Sequence, residues 1–343
     1  MKQEGDVMKG LKNIRYMFLG GIIVYSLFLI SCGKAEESAV DSIKLDSGAI
    51  IEKVDDNFRN CNLINEKYDP IESENVIGLY DKETSRYISV NNEGYKFFNN
   101  GKINKIEGVT LDSISLKLSP KGKYLSYFKE EDGVNNLKIY NLEDKKEVTF
   151  NSKVFISSTF MDWLDEDSIV YYGISEDRVN GIFIYNLKTE KEEVFYKLTG
   201  GIVQYMKTLD NGLIYVHETV DNERTLKIID KNASNENVLS KDVMWVQDII
   251  KVDDSYYFFG KVKGNNEALY KISNGKSKRM VFDFPQEIDV QKGLAKTQKG
   301  EILFIGKSDK NKREEQIYKL TKEGSISLLK ESSKEYSFVS INE

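Results

Sequence analysis

Residues 113–150 read SISLKLSPKGKYLSYFKEEDGVNNLKIYNLEDKKEVTF, and their alternation decides the fold. Ser119-Pro120-Lys121-Gly122 is a tight turn, with Pro fixing φ early and Gly free to take positive φ at its end. On either side of it lie SISLKL and YLSYF (Tyr124–Phe128), followed by LKIYNL (Leu137–Leu142) and EVTF, all of residue types that suit a pleated surface. Four short antiparallel strands in about forty residues form one unit of a repeat.

The repeat recurs in two registers. Its first turn is closed by Gly122, Asp167, Gly212, Ser255 and Gly300, at intervals of 45, 45, 43 and 45 residues. Its third strand recurs as Ile139-Tyr140-Asn141-Leu142, Ile184-Tyr185-Asn186-Leu187, Ile228-Ile229-Asp230, Leu269-Tyr270-Lys271-Ile272 and Ile317-Tyr318-Lys319-Leu320. A period near 44 with four strands per unit points to an all-β propeller. A sixth, degenerate blade is expected ahead of these five: Cys61–Asn65 as first strand, Glu74-Asn75 as turn, Val76–Tyr80 as second strand, Arg86–Val90 as third. The expectation is therefore six blades, with Tyr336–Ile341 pairing onto the first to close the ring. Seven is the alternative, if Ile43–Val54 and the C-terminal strand build another. A β-sandwich or an open solenoid fits the spacing less well, and no i, i+3, i+4 helical pattern follows residue 32.

The N-terminus carries an address. Lys9, Lys12 and Arg15 precede an apolar run from Met17 to Ile30, about 15 residues and short of the ~20 that span a bilayer. Met8 begins a tidier leader than Met1. Leu29-Ile30-Ser31-Cys32 resembles the bacterial lipobox, which implies cleavage before Cys32, acylation of that cysteine and an extracytoplasmic, membrane-anchored protein. The divisions expected are residues 1–31 as signal peptide, 32–46 as flexible polar tether (GKAEESAVDSIKLD after the cysteine) and 47–343 as propeller. Without residues 1–31 the chain has 45 basic against 53 acidic residues, a net charge of −8. Such a body does not adhere to anionic lipid by charge, so the acyl chains must do the holding.

Composition narrows the chemistry. Hydrophobic residues make up 40% and charged ones 30%, without a basic stripe, so nucleic acid is not an expected partner. The chain has two cysteines, Cys32 and Cys61, and one histidine, His217. Lipidation of Cys32 leaves no second thiol for an internal disulfide, and a Cys/His zinc site lacks ligands. The 20 Tyr and 17 Phe against 3 Pro favour sheets with half-wet faces.

SPKGKYLSYF followed by LKIYNLEDKKEVTF resembles the TolB-like, WD40-like propeller repeat, with Lys121 at the position of the usual Asp. The second unit keeps a Trp before its turn (Trp163) and loses Ser-Pro and Gly; later units keep the hydrophobic skeleton. The resemblance spans roughly residues 60–330 and implies a propeller. It leaves activity open, because this fold serves both as a docking platform and as a gating domain of peptidases.

Candidate chemistry is sparse. No Gly-x-Ser-x-Gly nucleophile turn occurs. His217, in LIYVHE, is expected to be a hydrogen-bonded or exposed strand residue rather than a base. Asp165-Glu166-Asp167 and Asp253-Asp254 fall on turns, where Asp bonds nearby amides, and neither has the pattern of a calcium loop. Tyr205, Trp245, Tyr256 and Phe258 are expected to pack blades rather than line a groove, and Cys61 to be a buried small hydrophobe. No catalytic residue, cofactor or metal ligand is assigned. The expected function is a non-catalytic platform for a protein, peptide or envelope polymer. The rivals are an enzyme of lyase or cyclase type with its site in the propeller channel, and a structural spacer. The loops Glu130–Asn136, Ser175–Gly181 and Asp309–Glu315, between second and third strands, mark the face expected to meet a partner.

Overall fold

The computed structural model describes residues 42–342 except 210 and 211; the expected leader, Cys32 and most of the tether lie outside the described residues. Among the described residues the strands form seven antiparallel blades, a seven-bladed β-propeller, where six were expected. The alternative count is the correct one. The missing blade is built from both ends of the chain: Glu335–Phe338, Ile50–Val54, Asn57–Ile64 and Lys67–Ile71, in that spatial order. Cys61 therefore sits in the third strand of this blade 1, paired with Ile50, and not in a first strand.

Blade 2 is also shifted from expectation. Val76–Asp81 is its first strand and Arg86–Asn91 its second, with Gly94–Asn99 and Lys102–Lys105 completing it. The period is disguised because this blade is short: an Asn92-Glu93 turn and an Asn100-Gly101 turn replace the longer connections seen elsewhere. The C-terminal segment is not one strand. Glu335–Phe338 pairs antiparallel with Ile50–Val54, and after Val339 the strand Ser340–Asn342 adds in parallel to Val76–Asp81. Each blade thus gains an inner edge partner that the sequence supplies 260 or more residues away.

Blades 3 to 6 follow the repeat as read. Their third strands are Val134–Asn141, Asn180–Asn186, Arg224–Asp230 and Ala268–Ser273, and blade 7 has Glu315–Leu320. Blade 7 departs only in its first strand, which is split into Glu287–Ile288 and Ala295–Lys296 around a turn of 3-10 helix. In the Ser119–Gly122 turn both Lys121 and Gly122 take positive φ, 63° and 65°. A side chain on Gly122 would stand 2.9 Å from Arg86 Cβ, so the glycine is required by space as well as by φ.

Within each unit the core is formed where the strands of one blade face those of the next, as between blades 2 and 3 and between blades 4 and 5. Tyr127, Tyr171, Tyr215 and Phe258 hold the same second-strand place in blades 3 to 6 and are at most 1% exposed. The buried phenols find acceptors, as buried tyrosines do. Tyr171 Oη bonds Glu192 and Tyr215 Oη bonds Glu236, each carboxylate reaching in from the fourth strand of its own blade. The chain packs as two compact units: blades 2 and 3 with residues 340–342, and blades 1 and 4 to 7.

Candidate binding surface

In the larger unit, first strands of successive blades run in step because carboxylates clip them together. Asp162 lies one residue from the end of Val154–Trp163 in blade 4, and it accepts the backbone N–H of Thr208, one residue from the end of Ile202–Leu209 in blade 5, at 2.8 Å. Asp248, in the blade 6 first strand Val243–Val252, takes the Lys207 ammonium of blade 5 at 2.7 Å and the Leu294 N–H of blade 7 at 2.8 Å. Co-directional first strands put all their starting residues, together with the second-to-third connections, at one end of blades 4 to 7.

That end is apolar. In blade 4, Phe155 is 76% exposed and its cross-strand partner Ile174 47%. Blade 5 contributes Ile202 at the start of its first strand and Val220, 79% exposed, in its Thr219–Glu223 loop. Blade 6 contributes Met244, and the entry to blade 7 places Phe282 and Phe284 in solvent at 63% and 49%. The opposite end, with the first-to-second and third-to-fourth turns, is polar in these four blades: Asp165–Asp167, Lys188–Glu190, Lys231–Asn235, Asp253–Ser255 and Gln298–Gly300. Exposed Val194, Val238 and Leu328 lie singly on the fourth strands of blades 4, 5 and 7, as scattered surface hydrophobes do. The exposed phenylalanines among the described residues instead all gather at this one end, the kind of departure that marks an interaction surface.

Local structure holds these side chains in place. The guanidinium of Arg279 lies over the Phe282 ring at 5.4 Å and donates to the Val281 carbonyl at 2.6 Å. Phe284 meets Tyr318 edge-on, with ring centroids 5.4 Å apart. Gly201, at φ 75°, lets the start of blade 5 lie against the Glu218 carbonyl, where any Cβ would stand at 1.9 Å. Charge at the same end is mixed: exposed Glu176, Asp177 and Arg178 lie in the blade 4 loop, Asp221 and Glu223 in the blade 5 loop, and Lys310, Lys312, Arg313 and Glu314 in the blade 7 loop.

Of the three loops expected to mark the partner face, two are short. Strands of blade 3 run on to Glu131 and resume at Val134, so Asp132-Gly133 is a two-residue hairpin with φ 54° and 80°. In blade 4 the connection is 176–179, and only blade 7 has an extended one, 308–314.

The other sequence candidates serve the fold. His217 is buried, with Nε2 2.7 Å from the Gly200 carbonyl. Asp165 accepts the N–H groups of Asp167 and Ser168, Asp167 pairs with Lys188 at 2.5 Å, and Asp253 pairs with Lys322 at 2.6 Å. Among the described residues no three His, Cys, Asp or Glu side chains converge as metal ligands. Phe258 is fully buried, and Trp245, Tyr205 and Tyr256 pack partly buried against the cores between blades 5, 6 and 7. Cys61 is fully buried beside the Glu52 carboxylate, 3.6 Å away. Burial, then that charge, pushes its thiol up to about 11.

Sequence reasoning missed Phe155, Val220, Phe282 and Phe284. A signal existed for two places: Val220 is a lone hydrophobe in the polar turn ETVDNE, and Phe282-Asp283-Phe284 alternates just before Pro285, where a strand core does not begin.

No protein-family model and no curated protein matches this sequence. Among solved structures the chain is similar to a prolyl endopeptidase, with TM-score 0.52 and 14% identity over 74% of this chain and 41% of that one. It is also similar to oligogalacturonate lyase from Vibrio parahaemolyticus, with TM-score 0.50 and 13% identity over 84% and 85%. TolB from Acinetobacter baumannii aligns at TM-score 0.46 and 11% identity, over 79% and 68%. At such identities the likeness to the endopeptidase and the lyase is one of fold alone.

Proposed function

We propose that this chain is an extracytoplasmic lipoprotein, held on the membrane through Cys32, whose propeller is a non-catalytic binding platform. The observation that carries the platform reading is the gathering of exposed Phe155, Val220, Phe282 and Phe284 at one end of blades 4 to 7, against an opposite end whose described turns are mainly polar. Supporting it, His217 and the acidic turns are engaged in hydrogen bonds and ion pairs of the scaffold.

Two measurements test the two parts separately. Cys32→Ala should move the protein from the membrane to the soluble fraction; retention in the membrane sinks the anchor. For the platform, Phe155→Ser with Phe282→Ser should abolish co-purification of partners that a Lys188→Ser, Lys322→Ser variant retains. Identical partner sets in both variants sink the choice of end.

A further inference from the structure

We infer that the closing strand Glu335–Phe338 of blade 1 is a strap that opens and shuts apart from the rest of its blade, and that the charges around Lys292 set how often it opens. It depends on neither the platform nor the anchor reading above.

The strand is held by little apolar contact. A single residue, Lys334, joins it to Ile326–Ser333, the fourth strand of blade 7. It lies at the end of its sheet, so its ladder, from Ile50 with Phe338 to Lys53 with Glu335, runs along one side. Of its four side chains only Tyr336 is fully enclosed, among Ile50 and Cys61 of blade 1 and Ile305 and Ile317 of blade 7. A short end strand with one buried ring belongs to the low-stability end of local opening.

Polar side chains supply the rest. On the side without a strand, Glu315, at the start of the third strand of blade 7, accepts the Tyr336 N–H at 2.7 Å. Lys292, in the 3-10 turn Val290–Lys292, stands 3.8 Å from Glu315 and 3.1 Å from Glu335. Asp289 caps that turn through the Gln291 N–H and, like Glu335, repels the Glu315 carboxylate. One ammonium thus answers three carboxylates, with the side chains of Lys292 and Glu315 only 9% and 10% exposed. At such burial a charge deprived of its partner is costly. Beyond the ladder, the Tyr336 hydroxyl donates to the Glu331 carbonyl at 2.6 Å and lies 3.2 Å from Glu52. Glu52 also faces Cys61 and has two cations of its own, Arg59 at 2.8 Å and Lys330 at 3.6 Å. The charge imbalance therefore lies on the Lys292 side.

Burial raises the Glu315 carboxyl in the shut strap, so the shut form holds the proton more tightly than the open one. Opening accordingly increases as pH rises through that raised value. Glu52 is held low and stays ionised from pH 5 to pH 8, while burial raises Tyr336 and Cys61 out of that window. The open form bares the backbone edge of Ile50–Val54 and the cleft that held Tyr336.

The test is hydrogen exchange of the full chain, resolved by fragmentation mass spectrometry and divided by the intrinsic rate at each pH. Residues 335–339 of the wild type should exchange about tenfold or more faster than Leu213–His217 in the core of blade 5. That ratio should widen from pH 5 to pH 8, and Glu315→Gln should abolish the widening. Lys292→Met leaves the carboxylates unanswered and should speed exchange at 335–339 by about tenfold or more, with Leu213–His217 unchanged. Equal protection of the two stretches in the wild type, a result that needs no variant to fold, would overturn the strap. Widening that persists in Glu315→Gln, or wild-type exchange in folded Lys292→Met, would overturn the role given to the charges. Should Lys292→Met fail to fold, Glu315→Gln decides that role by itself.

Discussion

Glu315 accepts the backbone N–H of Tyr336 at 2.7 Å, so a buried carboxylate takes the place of a strand neighbour for the last strand of blade 1. Lys292 stands between that carboxylate and Glu335, at 3.8 and 3.1 Å. On the other side of Tyr336, its hydroxyl lies 3.2 Å from Glu52 and 2.6 Å from the Glu331 carbonyl. The four-residue closing strand is thus held by polar side chains on both sides as well as by its ladder to Ile50–Val54. The two carboxylates respond oppositely to pH.

Burial raises the carboxyl of Glu315 above its ordinary value, against the opposing charge of Lys292 and the Tyr336 N–H. A raised carboxyl binds its proton more readily folded than unfolded, so the fold gains stability as pH falls through the raised value. The melting temperature of the wild type relative to Glu315→Gln should therefore rise from pH 8 to pH 4. A constant or falling difference contradicts this.

For Glu52, burial again pushes upward, but the Arg59 hydrogen bond at 2.8 Å and the charges of Lys330 and Arg59 outweigh it and hold the carboxyl low. Its contribution is present above the unfolded value and is lost as pH falls through the folded one. The advantage of wild type over Glu52→Gln should shrink on acidification, the reverse of the Glu315 trend, and thermal melts across the same buffers decide it.

Phe258→Ala, in the core of blade 6, should cost about 3–5 kcal/mol, the range for emptying a packed aromatic site. Phe155→Ala should change stability by less than about 0.5 kcal/mol, since it removes a ring already in water. Urea unfolding of both measures the contrast, and a cost at Phe155 near that of Phe258 would mean the ring is a packing residue.

Gly122→Ala meets two penalties, a left-handed φ of about 1–2 kcal/mol and the Arg86 side chain 2.9 Å from the new methyl. Gly133→Ala meets only the first, as nothing lies within 4 Å. Gly122→Ala should unfold at the lower temperature of the two.

Cys61 should resist a thiol-specific reagent at pH 8, because its proton leaves only near 11 and no part of it reaches solvent. One thiol should appear on unfolding in denaturant. Labelling at Cys61 itself in the native protein within minutes, mapped by peptide analysis, would contradict the buried placement.

Five blades were legible because each is a local device. The turn residues Gly122, Asp167, Gly212, Ser255 and Gly300 and the apolar third strands recur within one blade's length of chain, and near-neighbour alternation is what a sequence displays. Blade 2 was seen but misregistered, since its tight turns shorten the period. The seventh blade escaped because strand pairing between Ile50–Val54 and Glu335–Phe338 joins residues some 285 apart. No local pattern states which distant edge a strand will take. The binding surface is hidden for a related reason: Phe155 and Phe258 are alike as letters, and only the packing of the blades bares one ring and encloses the other. Sequence alone determined the all-β repeat. Tertiary structure decided the number of blades and which end is apolar, because burial and edge pairing depend on what the rest of the chain places alongside.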